Sequence, residues 1–203
     1  MKNQKNVGDT LKTVLILILA YVIGSIPFAL IIGKAVGGVD VRNYGSGNLG
    51  GTNAFRVLGW KAGISVIIAD ILKGMVATYL GMVAGGETLG ILAGLVAAVG
   101  HCYPLFAGFK GGKGVAVGTG VYLVLAPQVV LLAALAFALT LLISRYVSLS
   151  SIIAALTLGI LTLVYDMSIF LTIISWVLVV FVIYRHRSNI KRILNGTENR
   201  IRI

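Results

Sequence analysis

The apolar runs of this chain constrain its fold more than any other feature. A helix needs about 20 apolar residues to cross the hydrocarbon core of a bilayer. Only 11% of the 203 residues are charged, whereas a soluble domain has about 25%. The chain therefore predicts an all-α integral membrane protein with a single domain over residues 1–203. The apolar runs cover residues 13–36, 62–84, 88–107, 115–144, 149–165 and 167–184.

The run 115–144 decides the number of spans. It is too long for one upright helix and short for two of full length. Pro127 lies near its middle, and proline breaks a helix because it lacks the backbone N–H. We therefore expect two short helices here, which gives seven transmembrane helices. The first run exceeds the apolar core of a signal peptide, so we expect it to be retained as a span.

The positive charges predict which face is cytoplasmic. With seven spans, one face carries twelve Lys and Arg residues, and the opposite gaps carry only Glu87 and Asp166. Only the N-terminal tail, with Lys2, Lys5 and Lys12, disagrees. The positive-inside rule then places the glycine-rich loops and the C-terminus in the cytoplasm and the N-terminus outside. The net charge is +11, and the basic residues lie in short hydrophilic gaps rather than on one face of a soluble fold. We therefore expect no nucleic-acid partner. The basic face comprises residues 37–61, 108–114, 145–148 and 185–203.

The segment 42–56, "RNYGSGNLGGTNAFR", is rich in glycine and hydrogen-bond donors. Glycines let backbone N–H groups converge on an anion, and the N-terminus of a following helix favours negative charge there. A flexible, solvated loop is the alternative interpretation. The density of donors and the bracketing Arg42 and Arg56 favour a phosphate site.

The segment 100–118, "GHCYPLFAGFKGGKGVAVG", resembles a nucleotide-binding P-loop only in part. The first glycine of that motif falls on Ala107, and Gly114 stands where a hydroxyl would bind Mg²⁺. A P-loop is therefore excluded, although glycine combined with lysine still suits an oxyanion. Lys110 and Lys113 could instead serve only to fix topology.

Three other polar groups stand out within or next to the apolar runs. Asp70 and Lys73 share one helix face inside a span, which indicates either a mutual salt bridge that helps to hold helices together or a catalytic pair. The serines of "RYVSLSS", residues 145–151, either cap a helix or contribute hydroxyls to a site. The basic segment 184–200 suits anionic headgroups, but His186 and Asn189 are not explained in that way.

Taken in order, these motifs resemble those of one family along nearly the whole chain. They resemble the bacterial membrane glycerol-3-phosphate acyltransferases that use acyl phosphate as the acyl donor. Gly51 stands where that family usually has Ala, and Val117 where it has Thr or another small polar residue. The matching segments are "GSIPFALIIGK", "GSGNLGGTNAFR", "DILKG", "GHCYPLFAGFKGGKGVAVG", "RYVSLSS" and "HRSNIKRILNGTE".

The resemblance implies a seven-span enzyme of the bacterial inner membrane that makes lysophosphatidic acid and inorganic phosphate, with lipid around it and no obligate protein partner. It assigns the phosphate of acyl phosphate to Ser46, Gly47, Asn48, Gly50, Thr52 and Asn53. It assigns glycerol-3-phosphate to Arg56, Lys113, Ser151, His186 and Asn189, with Lys110 nearby.

The chemistry implied by the resemblance needs no covalent intermediate, because phosphate is a good leaving group. The general base is either His186 or a phosphate oxygen of the substrate. The sequence has no evident cluster of metal ligands, so we expect no metal and no cofactor. A transporter for a phosphorylated metabolite is the rival function, and a purely structural membrane protein is a third.

Overall fold

The computed structural model describes the backbone of residues 2–201 and the side chains of residues 8–201. The side chains of Lys2, Lys5 and Arg202, which enter the charge argument above, lie outside the described residues. Within the described range the regular structure is helical, without a strand. The helices are α1 (Lys2–Gly24), α2 (Phe28–Gly37), α3 (Gly51–Leu58), α4 (Trp60–Cys102), α5 (Val115–Leu125), α6 (Pro127–Ser144), α7 (Val147–Val164), α8 (Ile169–Arg185) and α9 (Arg187–Leu194).

Several of the predicted apolar runs are interrupted in the structure. The first run breaks between α1 and α2 at residues 25–27, where Pro27 precedes α2. α4 contains a turn at Gly85 and Gly86, the second of which has a φ of 75° that favours glycine. A Cβ at Gly81 would lie 2.6 Å from the carbonyl oxygen of Leu89, so the two halves of α4 fold back on each other. The runs 62–84 and 88–107 therefore correspond to the two arms of a hairpin.

The break predicted at Pro127 is confirmed, because α5 ends at Leu125 and α6 begins at Pro127. By length and composition, four segments of the described chain can cross a membrane, or five if α8 and α9 count as one span. α8 and α9 meet at a bend of 54°, and α5 has only 11 residues. Seven spans stay a prediction.

The chain forms two compact units, Met1–Leu125 and Ala126–Ile203. In the first unit, helices pack through small residues that let backbones approach closely. A Cβ at Gly24 would collide with the Ala97 backbone, and one at Gly120 with the Ile71 backbone. The core beside these contacts is mostly alanine: Ala20, Ala77, Ala93, Ala97, Ala98 and Val117. The prediction of one domain stays open beside this division.

The second unit packs α6 on α7 and α7 on α8. Gly159 of α7 lies against Trp176 and Val179 of α8. Many long apolar side chains of this unit face outward, such as Ile143 at 86% and Leu131 at 73% exposure. Exposing so much apolar surface to water is unfavourable, whereas contact with the acyl chains of a bilayer is not.

Candidate functional site

The glycine-rich loop between α2 and α3 is organised by the side chain of Asn53. This side chain is buried at 1% exposure. Its Oδ1 accepts hydrogen bonds from the backbone N–H of Ser46 at 2.8 Å and from the Ser46 hydroxyl at 3.2 Å. Its Nδ2 donates to the carbonyl oxygens of Val41 at 2.9 Å and Tyr44 at 3.2 Å. Asn53 therefore holds the loop in shape from within.

A second brace fixes the start of the same loop. Arg42 forms an ion pair with Asp40, with Nη2 2.6 Å from Oδ2. The hydrogen bond from Arg42 holds the pKa of Asp40 at about 2, which outweighs the opposing effect of burial. Nη1 of Arg42 also donates to the carbonyl oxygen of Ala107 at 3.1 Å. Arg42 therefore ties this loop to the segment that leads into the second glycine-rich loop.

The remaining predicted residues of the first loop surround the N-terminus of α3. Gly50 precedes the helix, and Thr52 lies in its first turn with a half-buried side chain. Ser46 and Gly47 are exposed, and Gly47 has a φ of 68°. Arg56 lies one turn further along α3 and is exposed. The first turn of a helix presents backbone N–H groups, so this arrangement suits an anion.

The second glycine-rich loop, residues 108–114, runs from a 3₁₀ turn to the start of α5. Gly108, Phe109 and Gly114 all have positive φ, so the chain turns sharply at both ends. Lys110 is exposed, whereas Lys113 is half-buried.

The two glycine-rich loops contact each other. Asn48 Nδ2 donates to the carbonyl oxygen of Gly111 at 3.1 Å, and the Arg42 bond to Ala107 adds a second link. The loops are 63 and 65 residues apart in sequence at these bonds. The structure thus joins the first loop to the segment that carries Lys110 and Lys113.

A buried polar network lies next to the second loop. Lys73 Nζ is 2.8 Å from Asp70 Oδ1, which confirms the predicted salt bridge. His101 Nδ1 is 3.5 Å from the same oxygen. Lys73 also donates to the carbonyl oxygen of Ile26 at 3.0 Å, in the break between α1 and α2. The three side chains are almost completely buried.

In the second unit, Glu198 gathers three of the polar side chains. Its Oε1 accepts from Ser148 at 2.9 Å and from Asn189 at 2.6 Å, and its Oε2 accepts from Arg192 at 2.7 Å. Burial alone raises the pKa of Glu198, but the hydrogen bonds from Asn189, Arg192 and Ser148 outweigh it and hold that pKa below its usual value. The carboxylate therefore fixes the orientation of the Asn189 amide.

The other predicted residues of the second unit are also buried. The hydroxyls of Ser150 and Ser151 donate to the carbonyl oxygens four residues earlier, at 2.9 Å each, so neither caps α7. His186 lies between α8 and α9, with Nδ1 2.8 Å from the carbonyl oxygen of Val182. Because a carbonyl only accepts, Nδ1 carries the proton in the neutral ring, and Nε2 is then the basic atom.

Sequence reasoning missed the structural roles of Asp40 and Glu198. Asp40 stands two residues before Arg42, which is a signal for a local ion pair. Glu198 ends the segment "HRSNIKRILNGTE", and a lone carboxylate among basic residues signals a partner. Among the described residues, no group of three His, Cys, Asp or Glu side chains could hold a metal ion.

Apolar helices with outward-facing aliphatic side chains define this chain as a multi-pass integral membrane protein. Two glycine-rich loops that contact each other and carry lysine and arginine form a candidate anion site in its first unit. The family model described as glycerol-3-phosphate acyltransferase matches residues 14–196. The chain therefore belongs to the glycerol-3-phosphate acyltransferase family.

Individual relatives and solved structures agree with this membership. A glycerol-3-phosphate acyltransferase 2 of Bacillus anthracis is 53% identical and covers 93% of this chain and 98% of the relative. The glycerol-3-phosphate acyltransferase of Bacillus subtilis is 49% identical, over 93% and 97% of the two chains. The crystal structure of PlsY, an integral membrane glycerol 3-phosphate acyltransferase, in its glycerol 3-phosphate form has a TM-score of 0.90 and 40% identity, with 94% and 96% covered. The lysophosphatidic acid form of PlsY has a TM-score of 0.88.

Proposed function

We propose that this protein transfers a fatty acyl group from acyl phosphate to the C1 hydroxyl of glycerol-3-phosphate. The products are lysophosphatidic acid and inorganic phosphate, in the first acylation step of phospholipid synthesis. The acyltransferase part of the proposal is supported by the family and by the names of the relatives. The acyl phosphate donor is supported by the sequence resemblance.

One observation carries the proposal for the first unit: the hydrogen bonds that join its two glycine-rich loops. Both substrates carry a phosphate group, so the reaction needs two anion sites close together. The Asn48–Gly111 bond of 3.1 Å holds the N-terminal turn of α3 near the loop of Lys113. Backbone N–H groups and lysine together suit phosphate oxygens.

We assign the phosphate of acyl phosphate to the first loop, with Asn53 acting through the shape of that loop. The residues assigned to this phosphate are Ser46, Gly47, Asn48, Gly50, Thr52 and Asn53. We assign glycerol-3-phosphate to Arg56 and Lys113 in the first unit, with Lys110 nearby. Ser151, His186 and Asn189 of the second unit complete the assignment, which for them is supported by the sequence resemblance alone.

In the proposed reaction, the C1 oxygen of glycerol-3-phosphate attacks the carbonyl carbon of acyl phosphate. The new C–O bond forms an ester as the bond to the phosphate oxygen breaks, and inorganic phosphate leaves. The hydroxyl proton passes either to Nε2 of His186 or to a phosphate oxygen of a substrate. Lysine and backbone N–H groups would stabilise the oxyanion that develops on the carbonyl.

The proposed face of the reaction is cytoplasmic, with the N-terminus outside and the C-terminus inside. The distribution of positive charge supports this orientation. Cysteine labelling with a reagent that cannot cross membranes, applied to intact cells, tests it. Labelling from outside at residues of the loop 108–114 would contradict the orientation.

The decisive test of the function uses the purified protein in detergent or nanodiscs. We expect inorganic phosphate to be released from acyl phosphate only when glycerol-3-phosphate is present, with lysophosphatidic acid formed in equal amount. Acyl-CoA in place of acyl phosphate tests the donor. Transport of glycerol-3-phosphate into vesicles without acylation would favour the transporter instead.

A further inference from the structure

The buried network of Asp70, Lys73 and His101 has no part in the proposed reaction. A pair of charges inside an apolar helix bundle is costly, so it needs an explanation. A purely structural salt bridge within α4 is the simplest one. The contacts of His101, however, connect the network to the second glycine-rich loop.

The loop 108–114 rests directly on His101. The backbone N–H of Gly112 donates to the carbonyl oxygen of His101 at 3.1 Å. A Cβ at Gly112 would collide with the His101 ring at Nε2, and a Cβ at Gly111 would collide with the His101 carbonyl. The ring edge that bears Nε2 therefore packs against Gly112, the residue that precedes Lys113.

The opposite nitrogen of the same ring faces Asp70. Nδ1 lies 3.5 Å from Asp70 Oδ1, and the His101 ring is only 5% exposed. Asp70 belongs to the first arm of the α4 hairpin and His101 to the end of the second arm. The carboxylate therefore sets the orientation of a ring on which the loop lies.

Lys73 balances the charge of this carboxylate. Its Nζ lies 2.8 Å from Asp70 Oδ1, and it donates to the carbonyl oxygen of Ile26 at 3.0 Å. With a neutral imidazole, the three side chains carry no net charge. Lys73 thus explains how Asp70 can be buried as an anion, while the contact with His101 gives the anion an effect on the loop.

We propose that Asp70 is a positioning residue, which holds the His101 ring so that the loop 108–114 presents Lys113 to glycerol-3-phosphate. This inference rests on the proposed function. It distinguishes two contacts of Asp70: the one with Lys73 balances the buried charge, and the one with His101 serves substrate binding.

The test separates these two roles with a charge-neutral double variant, Asp70→Leu with Lys73→Met, which removes the oxygen that faces His101 Nδ1. Replacing a buried ion pair by neutral groups of similar size leaves stability nearly unchanged, because no buried charge is left unpaired. We expect a melting temperature close to that of the wild type. We also expect the KM for glycerol-3-phosphate to rise by about tenfold or more, because the His101 ring loses the carboxylate that orients it, while the KM for acyl phosphate stays nearly constant. A double variant with wild-type KM for glycerol-3-phosphate would overturn the proposal.

A second variant covers the case in which the double variant does not fold. His101→Gln keeps an amide where Nε2 lies but loses the nitrogen that faces Asp70, and it introduces no charge. For this variant too, we expect the KM for glycerol-3-phosphate to rise and the KM for acyl phosphate to stay nearly constant. Thr78→Val is the matched control, because Thr78 is fully buried in α4 and its hydroxyl donates to the Gly74 carbonyl oxygen of the same helix. Equal effects on both KM values in His101→Gln would contradict the proposal.

A readout without turnover keeps this inference separate from the proposed function. Lys110 is exposed in the loop, so trypsin can cleave after it once the loop loosens. We expect the double variant to be cut there about tenfold faster than the wild type and the Thr78→Val control. An unchanged cleavage rate would overturn the positioning role, whereas a wild type without acyltransferase activity would overturn only the function.

Discussion

The role of Asn53 inside the first glycine-rich loop leads to a quantitative prediction for Asn53→Ala. The substitution removes four hydrogen bonds. Three of the partner groups belong to the exposed residues Ser46 and Tyr44, so water can replace the amide at a cost of about 0.5 kcal/mol each. The carbonyl of Val41 is at a residue with 0% exposure, and leaving it unsatisfied costs about 1–3 kcal/mol.

The sum for Asn53→Ala is about 3 kcal/mol against the ordered loop. If the ordered loop binds the phosphate of acyl phosphate, this cost appears in kcat/KM for that substrate, as a fall of about 100-fold. Initial rates of phosphate release at varied acyl phosphate measure it. Asn43→Ala is the matched control, because Asn43 is an exposed asparagine in the same loop region, and its rate should change by less than about twofold. A kcat/KM of Asn53→Ala within about threefold of the wild type would refute the reasoning.

Three further predictions concern other parts of the chain. Lys113→Ala should raise the KM for glycerol-3-phosphate by about 10–100-fold, because a charge-assisted hydrogen bond to phosphate is lost. Lys110 is exposed, so Lys110→Ala should raise this KM by much less. Equal effects of the two substitutions would contradict the assignment. Glu198→Gln should lower the melting temperature at neutral pH. Because the folded pKa of Glu198 lies below its ordinary value of 4.5, the stabilisation is present above that pH and is lost as the pH falls through the folded pKa, so the difference in melting temperature should shrink in acid. Gly120→Ala should destabilise the protein by about 1–3 kcal/mol in thermal unfolding, because its Cβ would collide with the Ile71 backbone, whereas Gly118→Ala on the same helix has open space and should be nearly neutral.

The class of protein and the helix break at Pro127 were predictable from local sequence. The length of the apolar runs indicates membrane helices, because every backbone polar group in a bilayer needs an internal partner. Pro127 interrupts a run in the structure, as expected from its missing N–H. The break at residues 25–27 was not predicted, although Pro27 was visible in the sequence. The length of an apolar run does not by itself show where one helix ends and the next begins within that run.

The site was predictable only as a set of residue types. The glycines and bases of 42–56 and 108–114 indicated anion binding, and the spacing of Asp70 and Lys73 indicated a salt bridge. The sequence did not indicate that Asn53 points into its own loop. It also did not indicate that Asp70 faces His101, because that pair is formed by the two arms of a hairpin.

The sequence by itself thus determined that this protein lies in a membrane, that it is helical and to which family it belongs. These properties depend on composition, on the length of the apolar runs and on the order of the motifs. Tertiary structure decided which polar side chains serve the scaffold and which face outward. The physical reason is that hydrogen bonds such as those from Asn48 to Gly111 and from Asn189 to Glu198 join residues that only folding brings within 3.1 Å and 2.6 Å. A buried donor or acceptor must find a partner, and the fold alone determines which one is in reach.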